Sequence, residues 1–258
     1  MDRPALEHLG TRVVGRYVRW HDSIPSTNDL AMRLTEIPVP EGTVVVADEQ
    51  TAGRGRRGRA WVSPRGGVWL SVILNPALAP DRLPVVGFAA AIAAGRAIRK
   101  TTGLLARLKW PNDVLVHGKK VAGVLTEAAP TPGWVVAGIG INANVPHDAL
   151  PQEPGYPAAS LAGLLGKPVD REALIRTLLR ELDRSYTMLA SAGVEGVLRR
   201  WREMAETPGL AVRVEMAAGT ICGTAVDVDE AGALWVRLAD GTTRRVLAGD
   251  VQLRDGPS

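Results

Sequence analysis

A chain of 258 residues, 46% of them hydrophobic, is long enough for one large domain or a large and a small one, and too apolar for general disorder. The formal net charge of +4 favours acidic ligands but is too small to establish a nucleic-acid binder. Cys222 is the only cysteine, which excludes an internal disulfide and a multi-cysteine zinc cluster. No signal-peptide pattern opens the chain, and no apolar run reaches the ~20 residues of a membrane span, so a soluble, cytoplasmic protein is expected.

In chain order, residues 12–20 alternate between polar and apolar. Ser26-Thr27-Asn28-Asp29 then reads as a helix start, with Ser26 and Asp29 at capping-box spacing and Leu30, Ala31 and Leu34 at helical spacing. The β-branched run at 43–47 predicts a short buried strand, and 68–74 the next one. Pro84 opens an Ala-rich helix to about residue 100, stopped by Gly103. Strand-like pieces follow at 106–109, 113–117, 121–127 and 134–144. The last holds Gly138 and Gly140, interior glycines that mark close approach of a backbone or ligand. Residues 145–160 are a proline-rich connection, and helices are expected at 170–189 and 194–206. Pro208-Gly209 marks a boundary between units 1–207 and 208–258. Closely spaced strands at 211–215, 220–227, 233–238 and 243–247 then predict a small barrel, with turns at 217–219, 230–232 and 240–241.

Four arginines and three glycines fill Gly53-Arg54-Gly55-Arg56-Arg57-Gly58-Arg59. Glycine lets the backbone come close to a ligand while guanidinium forks converge on it, which suits a polyanion such as phosphate. No Gly-Lys-Ser/Thr follows, so this is no Walker loop. A solvated basic turn or a nucleic-acid tether has the same composition. The flanks favour a ligand: Gln50 offers a two-sided amide and Trp61 a stacking face. A second constellation is Lys109-Trp110-Pro111-Asn112-Asp113, followed by Lys120-Val121-Ala122-Gly123. Asn112 and Asp113 suit an ordinary turn, but Lys120 sits among apolar neighbours on a predicted strand, where its ammonium either snorkels or enters a site. Ser26-Thr27-Asn28 adds hydroxyls and free N–H donors at a helix start. There is no Gly-x-Ser-x-Gly elbow, and His8, His21, His117 and His147 lack metal-ligand spacing.

Taken together, Ser26-Thr27-Asn28, Gln50 through Arg59, Lys109 through Asp113, Lys120 through Gly123 and Gly140-Ile141-Asn142 resemble the biotin protein ligases, with the strand-rich tail matching that family's small C-terminal barrel. The resemblance implies an α+β fold: a mixed β-sheet packed by helices, similar to the catalytic domain of class II aminoacyl-tRNA synthetases, plus an SH3-like barrel. It implies ATP-dependent, Mg2+-assisted activation of biotin to biotinyl-5′-AMP, then transfer to a lysine of a biotin carboxyl carrier protein domain. By the same resemblance Ser26, Thr27, Asn28, Gln50, Gly53, Arg54, Gly55, Arg56, Lys120 and Gly123 face biotin. Arg56, Arg57, Arg59, Trp61, Asn112, Lys120 and Asn142 face the nucleotide. Lys120, Arg54, Arg56 and Asp113 carry the chemistry, with Asp113 orienting the acceptor lysine or taking its proton. Residues 53–60 are expected to close as a lid over the adenylate, and Arg254 is a candidate to reach toward the site. The Ser-Thr-Asn motif comes too early for a preceding DNA-binding domain, so no operator binding is expected, and the protein is expected to be a monomer or weak homodimer. A lipoate or octanoate ligase or transferase shares this fold and would need a more apolar acyl site. A basic RNA- or DNA-binding module would need a broad basic face, which 27 acidic against 31 basic residues do not favour.

Overall fold

The computed structural model describes residues 9–151, 157–216 and 219–253. The first eight residues with His8, residues 152–156 of the proline-rich connection, Ala217 and Ala218, and Arg254 lie outside the described residues. Seven strands form the main sheet: β1 (Val18–His21), β2 (Val44–Ala47), β3 (Val68–Leu74), β4 (Ala106–Lys109), β5 (Asp113–Val116), β6 (Lys119–Ala128) and β7 (Val135–Ile141). Their order is β1-β2-β3-β7-β6-β5-β4. The β1–β2 pair is parallel and every other pair antiparallel, so the sheet is mixed. β1 comes from the alternating segment at 12–20, which carried no distinct strand expectation.

The two faces of this sheet are covered unequally, and that inequality makes the site. Side chains of successive strand residues point to opposite faces. Val44, Val46, Leu70, Val72, Val124, Ala137 and Ile139 face the two long helices, α2 (Pro84–Thr102) and α4 (Arg171–Met204), in one continuous core. The small residues of α2, Ala89 through Gly95, let the helices lie close to each other and to the sheet. Gly103 closes α2 in a left-handed conformation at φ 76°. Asp170 caps α4, accepting from Ala173 N at 3.0 Å. The two expected helices at 170–189 and 194–206 run on as α4, broken only at Gly193 (φ 66°). On the other face Val45, Ile73 and Val136 pack against Ala31 and Leu34 of α1 (Thr27–Leu34), with Ile24, Val39 and Trp134 beside them. One short helix cannot cover seven strands, and the uncovered part is a cleft.

The second unit is a five-stranded antiparallel sheet in the order β11-β10-β9-β8-β12: β8 (Ala211–Met216), β9 (Gly219–Val228), β10 (Leu234–Arg237), β11 (Thr243–Val246) and β12 (Asp250–Leu253). β12, which pairs with β8, lies beyond the last strand expected from sequence. Val212, Val214, Ala225, Val236 and Val246 join the main core. Trp110, fully buried, fastens the two units: its backbone N–H donates to Thr207 Oγ1 at 2.8 Å and its indole to Gly232 O at 2.9 Å. A short helix, α3 (Leu161–Leu165), capped by Ser160, follows the proline-rich connection.

Candidate active site

The cleft on the α1 face has a volume of about 750 Å³. Its floor is set by strand register. Gly123 of β6 lies opposite Asp113 of β5 and Gly140 of β7; one step along, Leu125 lies opposite Gly138, and Gly138 opposite Ser71 of β3. Cross-strand partners share a face, so these residues line one surface. Glycine is required there sterically. The Trp61 indole lies over Gly123 and Gly140, and a Cβ on Gly140 would stand 2.5 Å from Trp61 Nε1. A Cβ on Gly138 would stand 2.1 Å from Asn28 Oδ1.

Lys120 reaches the same surface through a bulge. Strict alternation from Gly123 would put Val121 on the cleft face and Lys120 on the helical face. The β5–β6 register instead shifts between Val114 and Leu115, so that Val114 pairs with Ala122 and Leu115 with Lys120. The extra residue, Val121, turns Lys120 over. Lys120 Cε accordingly lies 3.5 Å from where a Gly123 Cβ would be, and its Nζ 5.2 Å from the Trp61 ring centre. Nζ also stands 2.6 Å from Asp113 Oδ1, an ion pair by distance in which that buried oxygen receives no well-directed hydrogen bond.

The inner end of the cleft is a closed polar circuit. Ser26 caps α1, its Oγ accepting from Asp29 N at 3.3 Å. The Thr27 N–H can only donate, so the Gln50 amide atom 2.8 Å away is its oxygen, which also lies 3.0 Å from Thr27 Oγ1. Gln50 Nε2 then donates to Ser63 Oγ at 2.9 Å, and Ser63 Oγ donates to Trp61 O at 2.9 Å. Ser71 Oγ lies 2.7 Å from Thr27 Oγ1 and donates to Asn28 Oδ1 at 2.6 Å; Asn28 Nδ2 donates to Glu127 Oε2 at 2.8 Å. Thr27, Asn28, Ser63 and Ser71 are all buried. Buried polar groups that satisfy one another hold a single geometry.

The arginine loop folds back on itself across the cleft. Gly55 N donates to Arg59 O at 2.7 Å and Trp61 N to Gly53 O at 2.9 Å. Gly53 has no room for a side chain, since a Cβ would lie 2.4 Å from Trp61 O. Arg57 takes the left-handed backbone region at φ 57°, which costs an L-residue about 1–2 kcal/mol. Arg54 forms ion pairs with Asp29 at 2.6 Å and Glu127 at 3.0 Å. Hydrogen bonding to Glu127, and secondarily to Asp29, raises its already high pKa, against partial burial. Further along, Arg56 Nη1 lies 3.5 Å from both Asn112 Oδ1 and Gly249 O, and Arg57 Nη1 3.4 Å from Glu215 O. The outer lip of the cleft comes from the second sheet through Glu215, Val251 and Gln252. Asn112 is held by its Nδ2 on Val124 O at 2.8 Å, and Asn142 by its Nδ2 on Ala159 O at 3.2 Å.

Known proteins are similar to this chain over most of its length. Residues 20–144 match the Biotin/lipoate A/B protein ligase family and residues 209–254 the Biotin protein ligase C terminal domain. The Biotin--[acetyl-CoA-carboxylase] ligase of Mycobacterium tuberculosis is 35% identical over 266 residues, 96% of each chain. The chain belongs to the biotin protein ligase family. The Bifunctional ligase/repressor BirA of Bacillus subtilis is 35% identical over 249 residues, spanning 95% of this chain and 76% of the relative. Among solved structures, the biotin protein ligase of Aquifex aeolicus in complex with biotin and ATP superposes with a TM-score of 0.79 at 30% identity, covering 93% of this chain and all of that one. These matches establish the ligase class and the fold expected from sequence.

In this member of the family, Ser26, Thr27, Asn28, Gln50, Arg54, Gly55, Arg56, Arg59, Trp61, Asn112, Asp113, Lys120, Gly123 and Asn142 all line the one cleft. Gly53 and Arg57 are not among its lining residues: Gly53 closes the loop on itself and Arg57 turns to the second sheet. Three polar residues of the site went unrecognised in the sequence: Ser63, Ser71 and Glu127. Ser71 had a visible signal, as the one hydroxyl in the otherwise apolar strand at 68–74. Glu127 looked like an ordinary strand-end charge.

Proposed function

We propose that this chain joins biotin to ATP, giving biotinyl-5′-AMP and pyrophosphate, and passes the biotinyl group to a lysine of a biotin carboxyl carrier domain. The observation that carries this reading is one cleft with a buried polar circuit at its inner end and cationic side chains toward its outer end. In the first step a biotin carboxylate oxygen attacks the α-phosphorus of ATP and the bond to the pyrophosphate oxygen breaks. Two anions must meet, so cations fixed beforehand along their path lower the barrier most. Lys120 on the floor and Arg56 on the loop, both lining the cleft, are the side chains assigned to that role.

In the second step the acceptor amine attacks the acyl carbon and AMP leaves. An ordinary lysine has a pKa of ~10.4 and must first lose a proton. Asp113, at the start of β5 and already turned toward an ammonium, is the group assigned to orient that lysine and take the proton. Trp61 is assigned to the adenine, with Asn112 and Asn142 beside the nucleotide. Its indole N–H, buried with no partner in the protein, is a donor for a polar ligand. Residues 1–207 would then carry the catalytic unit, and 208–258 the unit that closes the outer lip. Among the described residues no group of three His, Cys, Asp or Glu side chains forms a metal cage, so magnesium would enter with the ATP phosphates, and no step here is routed through it.

The inner end favours biotin over lipoate or octanoate. A ureido ring has donors and an acceptor to join to this polar end, whereas a fatty-acyl tail would lie against hydroxyl and amide groups and return no hydrogen bond to them. The test is pyrophosphate exchange with biotin against lipoate, followed by intact mass of a carrier domain after incubation with ATP and biotin. Biotin-dependent exchange and one biotinyl addition are expected. Exchange driven by lipoate, or no mass gain on a competent carrier, would sink the reading.

A further inference from the structure

We propose that Glu127, assisted by Asp29, is the positioning residue that docks the arginine loop onto the sheet, and that Arg54 is the latch of this dock and not a phosphate ligand. The inference deepens the adenylate-forming reading above and rests on it.

A guanidinium has five N–H donors on three nitrogens. All three nitrogens of Arg54 are engaged: Nε and Nη2 with Asp29 Oδ1 at 2.9 and 2.6 Å, Nη1 with Glu127 Oε1 at 3.0 Å, and Nη2 with Glu127 Oε2 at 3.0 Å. The Glu127 contact is the two-pronged arrangement that gives arginine–carboxylate pairs their directionality. A phosphate could grip Arg54 in the same way only by breaking it. It would also approach two carboxylates set against one guanidinium, a cluster that repels anions.

The two sides of the dock differ in mobility. Glu127 projects from the paired part of β6, one residue before its end and opposite Val136, and is held from beneath by Asn28, which is held in turn by the wholly buried Ser71. Arg54 stands on a glycine-rich loop and is about 39% exposed in its side chain. The carboxylate is therefore the fixed part and the guanidinium the part that arrives. On the other arm of the loop, Gln50 and Ser63 hold Trp61 O. Both arms are thus tied to the same buried circuit, and the loop can lie over the cleft before any phosphate is present. The acyl-adenylate is a mixed anhydride that water destroys, so the cover it needs comes from the protein's own carboxylates.

The test uses the full chain and three variants, Glu127→Gln, Arg54→Ala and the double variant. The first readout needs no ligand: trypsin cleavage within residues 54–59. The second is AMP released with biotin and ATP in the absence of acceptor, which reports escape and hydrolysis of the adenylate. Glu127→Gln keeps the shape and the Asn28 contact but weakens the latch. Loop cleavage and acceptor-free AMP release should each rise about tenfold, and pyrophosphate exchange at saturating substrates should fall by less. Arg54→Ala should do the same, and the double variant should be no worse than the worse single one, since both remove one interaction. Unchanged cleavage and leakage in Glu127→Gln, with a cooperative melt like that of the parent, would overturn the proposal. So would a further large loss of exchange when Arg54→Ala is added to Glu127→Gln, because that loss would belong to a phosphate contact. If the parent protein shows no biotin-dependent exchange, the functional reading fails, while the trypsin comparison still decides whether the latch exists.

Discussion

The inner end and the mouth of the cleft are built on opposite plans. At the inner end, strand-borne and helix-borne side chains meet at 2.6–3.0 Å in a buried circuit through Gln50, Thr27, Ser71, Asn28 and Glu127. At the mouth, loop arginines meet a turn and backbone carbonyls of another unit at 3.4–3.5 Å, at the outer limit of hydrogen bonding. The first region is fixed before ligand arrives, and the second has contacts left to improve. The difference teaches a division of labour: recognition of the acyl head rests on rigid elements, where geometry is most reproducible, and the anionic, short-lived part of the reaction is handled where chain can move.

Substitutions that add bulk to the rigid floor should separate the two regions most sharply. Gly138→Ala puts a Cβ 2.1 Å from Asn28 Oδ1, on a short side chain held by Ser71 and Glu127, and biotin affinity measured by calorimetry should fall at least ~100-fold. Retained affinity would mean that the inner end is as yielding as the mouth. Lys120→Ala should follow, with pyrophosphate exchange down about 10²–10³-fold, the effect expected of removing one preplaced charge at the reacting centre. Near-normal exchange would take Lys120 out of the chemistry. Ser71→Ala removes one link of the circuit and should weaken biotin binding about tenfold with little change in kcat. Arg57→Ala, at the mouth, should change either step by less than about threefold, because an exposed contact at 3.4 Å contributes little.

An acid-range control lies outside both regions. Glu181 is buried between α2 and α4 and meets Lys100 at 2.7 Å, with Arg96 and Arg184 nearby. Burial alone would raise its pKa, but hydrogen bonding to Lys100 and the surrounding cations more than offset this, and its carboxyl lies below the ordinary value of 4.5. A depressed folded-state pKa means that its contribution is fully present above about pH 4.5 and is lost as the pH falls through the lower, folded value. Glu181→Gln should therefore flatten the pH dependence of the melting temperature below that point and leave both ends of the cleft unaffected.

Much of this was readable in the chain because local rules and tertiary role agreed. The Ser26 cap, the Gly103 stop and the β-branched strands at 44–47 and 68–74 follow from residue chemistry alone, and the arginine loop and the Lys109–Asp113 segment marked the site. The rest depends on long-range pairing. β12 is short and becomes a strand through β8. Glu127 acquires its role only when Arg54, 73 residues earlier in the chain, is brought against it. Gln50, expected to present a free amide to ligand, has both ends occupied by Thr27 and Ser63. No pattern within a short window encodes those partners.

The bulge at Val121 gives strand β6 two parities. Before it, even-numbered residues look into the cleft, as Lys120 does; beyond it, odd-numbered ones do, as Gly123, Leu125 and Glu127 do. The cation and the floor that carries the latch are therefore set by independent registers along a single strand. Flattening the bulge with Val121 still in place would leave Gly123 and Glu127 where they are and send the ammonium into the helical core, whereas deleting Val121 together with the bulge would keep Lys120 on the cleft face. The chemistry could thus be lost with no change in length or composition, through one local change of register at a residue that does not line the cleft.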